Sequence, residues 1–299
     1  MDDIIIVGAG PAGLAVALQL HRYNLIPLLF EPSRPGGLLW NANRVENYPG
    51  FLGGVSGPDL VRAMLDQIGE VKIIPEAVIE LTWEDDLFYA KTSTGTYTAR
   101  VAVIASGTKA SRLKGLSIPD ELQPLIMYEI ADLLDASQKR FIIVGSGDAA
   151  FDYAINLGRN NSVIILNRSD RVKCLPRLWS EAQTCQNIRY RSGTAIKRLV
   201  SCPEGGMIVE CSSPQGQLEI PADYVIGAIG REPQLDFVSA VLFERLAEFE
   251  KMGILHIVGD VKNGIYRQTA IAVGDGIRAG MRIYQLLEEN AHESDSLDG

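Results

Sequence analysis

The sequence predicts an α/β protein of two Rossmann-like dinucleotide-binding domains, the second inserted into the first. Three observations carry that expectation. Residues 4–16 read "IIIVGAGPAGLAV" and residues 142–154 read "IIVGSGDAAFDYA", so one pattern of apolar run, glycine turn and helix-like stretch occurs twice. A chain of 299 residues is long enough to bury two cores. The closing segment from residue 254 does not resemble the middle of the chain, which points to a return to the first domain. The expected division is a first domain at 1–112 plus 240–299 and a second at 113–239.

Taken in order, the first unit opens with a strand near 3–8, a glycine turn, a helix near 12–23 and a strand near 26–31. A turn of this kind lets backbone N–H groups and the helix dipole approach a pyrophosphate. Gly8 allows the tight turn, Gly10 admits the phosphate, and Gly13 lets helix and strand pack. Glu31 follows Gly13 by 18 residues, where an acid can accept from an adenosine ribose. The Gly- and Pro-rich stretch that follows is too long for a simple connector and is a candidate functional loop. A helix near 57–69 and short strands lead to "ARVAVIASGT".

The second unit repeats the scheme with a strand at 140–145, Gly145-x-Gly147-x-x-Ala150, a helix to about 158 and a strand at 162–167. A hairpin turning at "PEGG", 203–206, is expected next, then "DYVIGAIGREP" as a strand ending in a small-residue turn. The second strand of this unit ends in "NRSDR" with no acid at its tip, and Arg168, Arg171 and Lys173 are suited to a 2′-phosphate, favouring NADP(H) over NAD(H).

Composition narrows the function. Hydrophobic residues make up 46% and charged residues 22%, the balance of an ordered globular chain. The uncharged run 4–20 is interrupted by Gly8, Gly10, Pro11 and Gly13, and no targeting or membrane-spanning segment is evident, so a cytoplasmic protein with no membrane partner is expected. The net charge is −9, yet residues 159–198 hold nine basic residues against two acidic ones. The overall sign argues against nucleic acid, while the local island suits a phosphate ligand or an acidic partner. Three scattered histidines and four cysteines without a C-x-x-C pair give no metal site.

These residues resemble the low-molecular-weight thioredoxin reductases and their relatives, including the thioredoxin-reductase-like ferredoxin–NADP reductases. The likeness spans nearly the whole chain. It rests on Gly8-Ala-Gly-Pro-Ala-Gly13, "GGLLWNANRVENYPGF", "VIASGT" at 103–108, Gly259-Asp260 and "YRQTAIAVGDG". The resemblance implies FAD in the first domain, a nicotinamide nucleotide in the second, and a homodimer. It places Gly8, Gly10, Pro11, Ala12 and Gly13 at the FAD pyrophosphate, Glu31 at its ribose, and Gly36, Gly37 and Leu38 beside the flavin. Asn47, Ala105, Ser106, Gly107, Asp260, Arg267, Gln268 and Thr269 complete the implied FAD set. Gly145, Gly147, Asp148, Ala149, Ala150, Arg168, Lys173 and Gly230 form the implied NADP set.

Three departures from the family pattern matter. Where dithiol members carry C-x-x-C followed by aspartate, this chain has Tyr128-Glu129-Ile130-Ala131 and then Asp132. The basic H-R-R…R motif appears as Asn167-Arg168-Ser169…Lys173, and a glutamine often found after the flavin-loop glycines is Leu38. Without the dithiol, the expected activity is FAD-dependent transfer between NAD(P)H and a one-electron carrier such as ferredoxin or flavodoxin. Asp132 is a candidate to handle a proton and Tyr128 to shield the flavin. The alternatives are a divergent disulfide oxidoreductase serving a thioredoxin-like partner, through Cys174 and Cys185 or from a non-nicotinamide donor, and a flavin module whose second site is decayed or repurposed. One helix joining Cys174 to Cys185 would hold them roughly 16 Å apart, but Pro176 argues against such a helix, so that pair stays open.

Overall fold

The computed structural model describes the backbone of residues 2–297 and the side chains of 4–289. The chain forms two compact units: Met1–Trp40, Arg44–Lys109 and Glu232–Gly299 make unit 1, and Asn41–Asn43 with Ala110–Arg231 make unit 2.

Unit 1 is organised by the strand Asp2–Val7, whose apolar run is buried on both faces. Period-two alternation sends Ile4 and Ile6 into one core, against the helix Pro11–His21 and the start of the long helix Thr269–Leu297. Ile5 and Val7 enter the opposite core with Phe30, Leu81, Phe88 and Phe249. The sheet runs Ile73–Ile74, Leu28–Phe30, Asp2–Val7, Thr96–Ile104, Leu87–Lys91, Glu80–Glu84. The strand Leu255–Ile257 pairs in parallel with Thr96–Ile104, so the C-terminal segment does return to this sheet. The uncharged run near the N-terminus contains an eleven-residue helix, buried along most of its length. No described helix is long and apolar enough to cross a membrane.

Unit 2 has a five-stranded parallel sheet in the order Ile188–Arg191, Ser162–Leu166, Arg140–Val144, Tyr224–Gly227, Ile126–Met127. Phe141 and Ile143 face the helix Asp148–Leu157, while Ile142 and Leu166 face a three-stranded antiparallel layer. That layer, Ala195–Ser201, Met207–Ser213 and Gly216–Ala222, extends the expected hairpin by one strand. The turn at 203–206 is as expected, with Gly205 and Gly206 at φ of 96° and 76°, where a side chain would be strained. Beyond it the register differs from a regular four-residue hairpin. Ser201 pairs with Met207, and an irregularity between Ile196 and Arg198 sets Cys211 opposite Ile196.

Candidate functional site

Each unit presents a glycine turn at the carboxyl end of its central strand. In unit 1, Gly8 sits at φ 102°, and a Cβ there would meet the carbonyl oxygen of Ala105 at 2.5 Å. A Cβ on Gly13 would come within 1.9 Å of the Gly8 carbonyl oxygen, so only glycine lets the helix pack against the turn. Gly10 differs. Its backbone is ordinary, with φ −74°, and nothing lies within 4 Å of where its Cβ would be. The helix begins there with Pro11 in its first turn and no side-chain cap, so its N-terminus faces open space.

Other expected residues converge on this turn. Glu31 accepts from the Ala9 N–H at 3.1 Å and from the Ser33 N–H and hydroxyl at 3.2 and 2.9 Å, which fixes its carboxylate beside the loop. Gly36 donates to the Ala9 carbonyl at 2.8 Å, and a Cβ on Gly37 would lie 3.3 Å from Gly10 Cα. Leu38 is half-buried in the short helix Gly37–Asn41. Asn47 donates to Gln268 Oε1 at 2.7 Å, joining the flavin-type loop to the residues before the last helix. Ser106 and Gly107 are engaged with Gln234: the Ser106 hydroxyl donates to its carbonyl at 2.6 Å, and its N–H donates to the Gly107 carbonyl at 3.1 Å.

Gly259 stands so close to the helix 11–21 that its Cβ would meet Ala12 Cβ at 2.7 Å, which sets Asp260 next to the same turn. Asp275, absent from the sequence expectations, supports this arrangement. Its Oδ2 accepts from Asn263 Nδ2 at 2.7 Å and from Gly259 N at 3.4 Å, and its Oδ1 accepts from Arg278 at 2.6 Å. The open cradle at Gly10, the uncapped helix and the fixed carboxylate of Glu31 together fit a dinucleotide such as FAD.

In unit 2 a Cβ on Gly145 would meet the Ala228 carbonyl oxygen at 2.3 Å, while Gly147 has nothing within 4 Å and leads an uncapped helix. Ala150 is fully buried where the third position of the motif packs helix against strand. Asp148 and Ala149 are exposed in the first turn. The loop after the second strand folds back on this turn: Lys173 N–H donates to the Ser146 carbonyl and Leu175 N–H to Asp148 Oδ1, both at 2.8 Å. Asn167 is buried and organises that loop, accepting from the Ser169 N–H at 3.1 Å and donating to the Arg171 carbonyl at 3.0 Å and Tyr190 Oη at 2.8 Å. Arg168, Arg171 and Lys173 are left exposed around it. Gly230, at φ 122°, accepts from Ser111 N–H at 2.9 Å. This second cradle also fits a dinucleotide.

The window 128–132 is tied into unit 2. Tyr128 Oη accepts from the Leu113 N–H at 3.1 Å, its ring lies beneath Arg112 at 4.4 Å, and a Cβ on Gly227 would strike that ring at 2.7 Å. Glu129 pairs with Arg231 at 3.0 Å. The N–H groups of Ile130 and Ala131 both donate to Asn41 Oδ1, at 2.7 and 2.9 Å. Asp132 is exposed in the turn Ala131–Leu133.

No helix joins Cys174 to Cys185: the helix between them starts at Pro176, in its first turn, and ends at Thr184, so Cys174 lies two residues before it. The two cysteines therefore flank opposite ends of a nine-residue helix, about 13 Å long, and neither is in a disulfide. All four cysteines are free. Burial, then the Asp148 charge, pushes the Cys174 thiol up, and burial pushes Cys211 up to about 11.

One buried carboxyl was not expected. Asp152, on the helix 148–157, accepts from Asn43 N–H at 3.0 Å, and burial raises its pKa from 3.8 to about 6. Glu181 and Asp148 push it further up, and the Asn43 bond and Arg159 oppose the rise. The folded chain thus holds a proton here that the unfolded chain has released, so this group makes stability fall as pH rises from about 4 to about 6, by on the order of 3 kcal/mol. Asp152→Asn keeps an acceptor for Asn43 and is expected to flatten that slope and stabilise the protein at pH 8. Denaturant melts of both proteins between pH 4 and 8 check this; parallel pH profiles would refute it.

Residues 2–276 match the family described as pyridine nucleotide-disulphide oxidoreductase. The thioredoxin reductase of Mycolicibacterium smegmatis is 27% identical over 304 residues, covering 97% of each chain. That of Chlamydia pneumoniae is 29% identical over 307 residues, covering 93% of this chain and 96% of its own. Among solved structures, the thioredoxin reductase of T. acidophilum superposes with a TM-score of 0.82 at 25% identity, covering 95% of this chain and 97% of the other.

Proposed function

The chain belongs to the pyridine nucleotide-disulphide oxidoreductase family as an FAD-dependent oxidoreductase, and from that premise we propose that it passes electrons between NADP(H) and a one-electron carrier such as ferredoxin or flavodoxin, without an enzyme dithiol. The observation that carries this reading is the cysteine geometry: no C-x-x-C occurs in the sequence, and helix 176–184 separates Cys174 from Cys185. When bound, FAD would supply the conversion between hydride transfer and single-electron steps.

The protein's own residues have defined tasks in this reading. The turns at Gly10 and Gly147 would hold the pyrophosphates of the two cofactors, Glu31 would fix one ribose, and Arg168 and Lys173 would favour a 2′-phosphate on the other. Asp260, Arg267, Gln268 and Thr269 would hold the flavin end of the cofactor, and the positive N-terminal end of the last helix, at Thr269, would favour negative charge there. Asp132 is the exposed group suited to move a proton, and the basic segment 159–198 suits an acidic carrier protein. The functional form is a homodimer in the cytoplasm.

A second reading, reduction of a thioredoxin-like disulfide, is favoured by the names of the relatives. It needs a cysteine pair within bonding distance in some other state of the protein. Anaerobic titration with NADPH and then NADH, followed at the flavin's visible band, is the first test, with rapid bleaching by NADPH expected. The reduced enzyme is then offered ferredoxin, flavodoxin and thioredoxin. The double variant Cys174→Ser/Cys185→Ser is expected to turn over the one-electron carriers at the wild-type rate. Thioredoxin reduction that the double variant loses would overturn the one-electron reading.

A further inference from the structure

The loop that follows the strand Ser162–Leu166 carries one cation fewer than the family's motif, because Ser169 stands where a basic residue is usual. The sheet brings another arginine to that place. Strand Ile188–Arg191 is parallel to 162–166 and ends in the same layer, with Leu166 in register opposite Arg191. The backbones stay joined beyond the last ladder pair. Asn167 N–H donates to the Arg191 carbonyl at 3.0 Å, Thr194 N–H to the Asn167 carbonyl at 2.9 Å, and Gly193 N–H to the Ser169 carbonyl at 3.4 Å. The tip of one strand and the turn after the other are therefore a single hydrogen-bonded piece, and Arg191 is held beside Asn167 and Arg168.

Alternation settles which way Arg191 leaves the sheet. Tyr190 packs on the helical side, with its ring 5.1 Å from Trp179 and 5.9 Å from Phe151. Arg191 leaves on the opposite face, shared with its register partner Leu166 and with Cys211 of the antiparallel layer. That places it at the carboxyl end of a parallel sheet, the end at which open α/β sheets bind nucleotides. Arg168, Arg171 and Arg191 are all exposed, and none is in an ion pair among the described residues. The acid of this loop, Asp170, has a carboxylate oxygen 3.7 Å from where a Gly193 Cβ would be, and three guanidinium groups outnumber it.

We infer that Arg191 is a specificity-determining residue of the second nucleotide site, pairing together with Arg168 with the 2′-phosphate of NADP(H) and replacing the cation that Ser169 does not supply. A guanidinium offers two parallel N–H donors to one phosphate, which a lone lysine cannot. The inference rests on the reading that the turn at Gly147 holds a nicotinamide nucleotide.

The test is calorimetric binding to the full-length protein, using adenosine 2′,5′-bisphosphate and 5′-AMP as probes. Wild type is expected to prefer the bisphosphate. Arg191→Gln is expected to lose roughly tenfold or more of that preference with its 5′-AMP affinity unchanged. Arg189→Gln, two residues earlier on the same strand, is expected to bind both probes as wild type does. An Arg191→Gln protein that keeps the wild-type preference, or that loses affinity for both probes alike, overturns the assignment of Arg191 and leaves the nucleotide site standing. A wild type that binds 5′-AMP as tightly as the bisphosphate also overturns it. A wild type that binds neither probe removes the nucleotide reading and this inference together.

Discussion

Replacing Gly10 with alanine is expected to give a protein that folds normally and purifies without its flavin. The two halves of that outcome have separate causes. Gly10 lies at φ −74°, which alanine adopts freely, and no atom lies within 4 Å of the new Cβ, so folding is not opposed. The methyl group would instead occupy the space in which a pyrophosphate approaches the N–H groups of the helix 11–21. Those charge-assisted bonds are the strong ones, and losing close approach to two of them weakens FAD by on the order of 100-fold. Gly13→Ala supplies the contrast. Its Cβ would stand 1.9 Å from the Gly8 carbonyl oxygen, so the turn must open, at a cost of about 1–3 kcal/mol or more from overpacking alone. Gly10→Ala should therefore match wild type in circular dichroism and in the melting temperature of flavin-free protein, while Gly13→Ala should fail both. Flavin-to-protein absorbance ratios and FAD titration of stripped protein make the measurement. A Gly10→Ala variant that purifies fully yellow would remove the first turn from the FAD site.

What could be read from the sequence was whatever is local. The two glycine turns are written in consecutive residues, and each combines a steric requirement with an open phosphate position. The period-two burial of Ile4, Ile5, Ile6 and Val7 is equally plain, because a strand covered on both faces is apolar throughout. The residues that were missed act over distance. Asp275 supports Gly259 from sixteen positions away, and nothing in "GDGIRAGM" distinguishes it from a surface acid on a helix. Arg191 gains its position from the register of two strands separated by a helix, which no local pattern records. The third strand of the antiparallel layer, 216–222, follows a turn at "SPQG" that was less conspicuous than "PEGG". Pro176 was legible for a definite reason: proline cannot sit inside a helix but starts one at its first turn, and the helix between Cys174 and Cys185 does begin there.

Gly147→Ala is the counterpart in the second unit, and its expected effect is a protein that keeps its flavin and can no longer be reduced by NADPH. Gly147 has ordinary backbone angles, φ −96° and ψ −178°, and open space beyond its Cβ position, so unit 2 should fold unchanged. Neighbouring contacts make the blockade specific. The Ser146 carbonyl and Asp148 carboxylate are already bonded to the backbone of Lys173 and Leu175, which leaves the side of the turn at Gly147 as its open approach to the helix N-terminus. A methyl group there obstructs that approach while leaving Arg168 and Arg191 untouched. The rate of flavin bleaching by NADPH should fall on the order of 100-fold or more, because two phosphate bonds to N–H groups are lost at once. Reduction by dithionite, which needs no nucleotide site, should proceed as in wild type. The pair of rates separates a damaged flavin from a closed nucleotide site: slow reduction by both reagents would mean the substitution disturbs the flavin, and wild-type bleaching by NADPH would mean that hydride reaches the flavin from a nucleotide bound elsewhere.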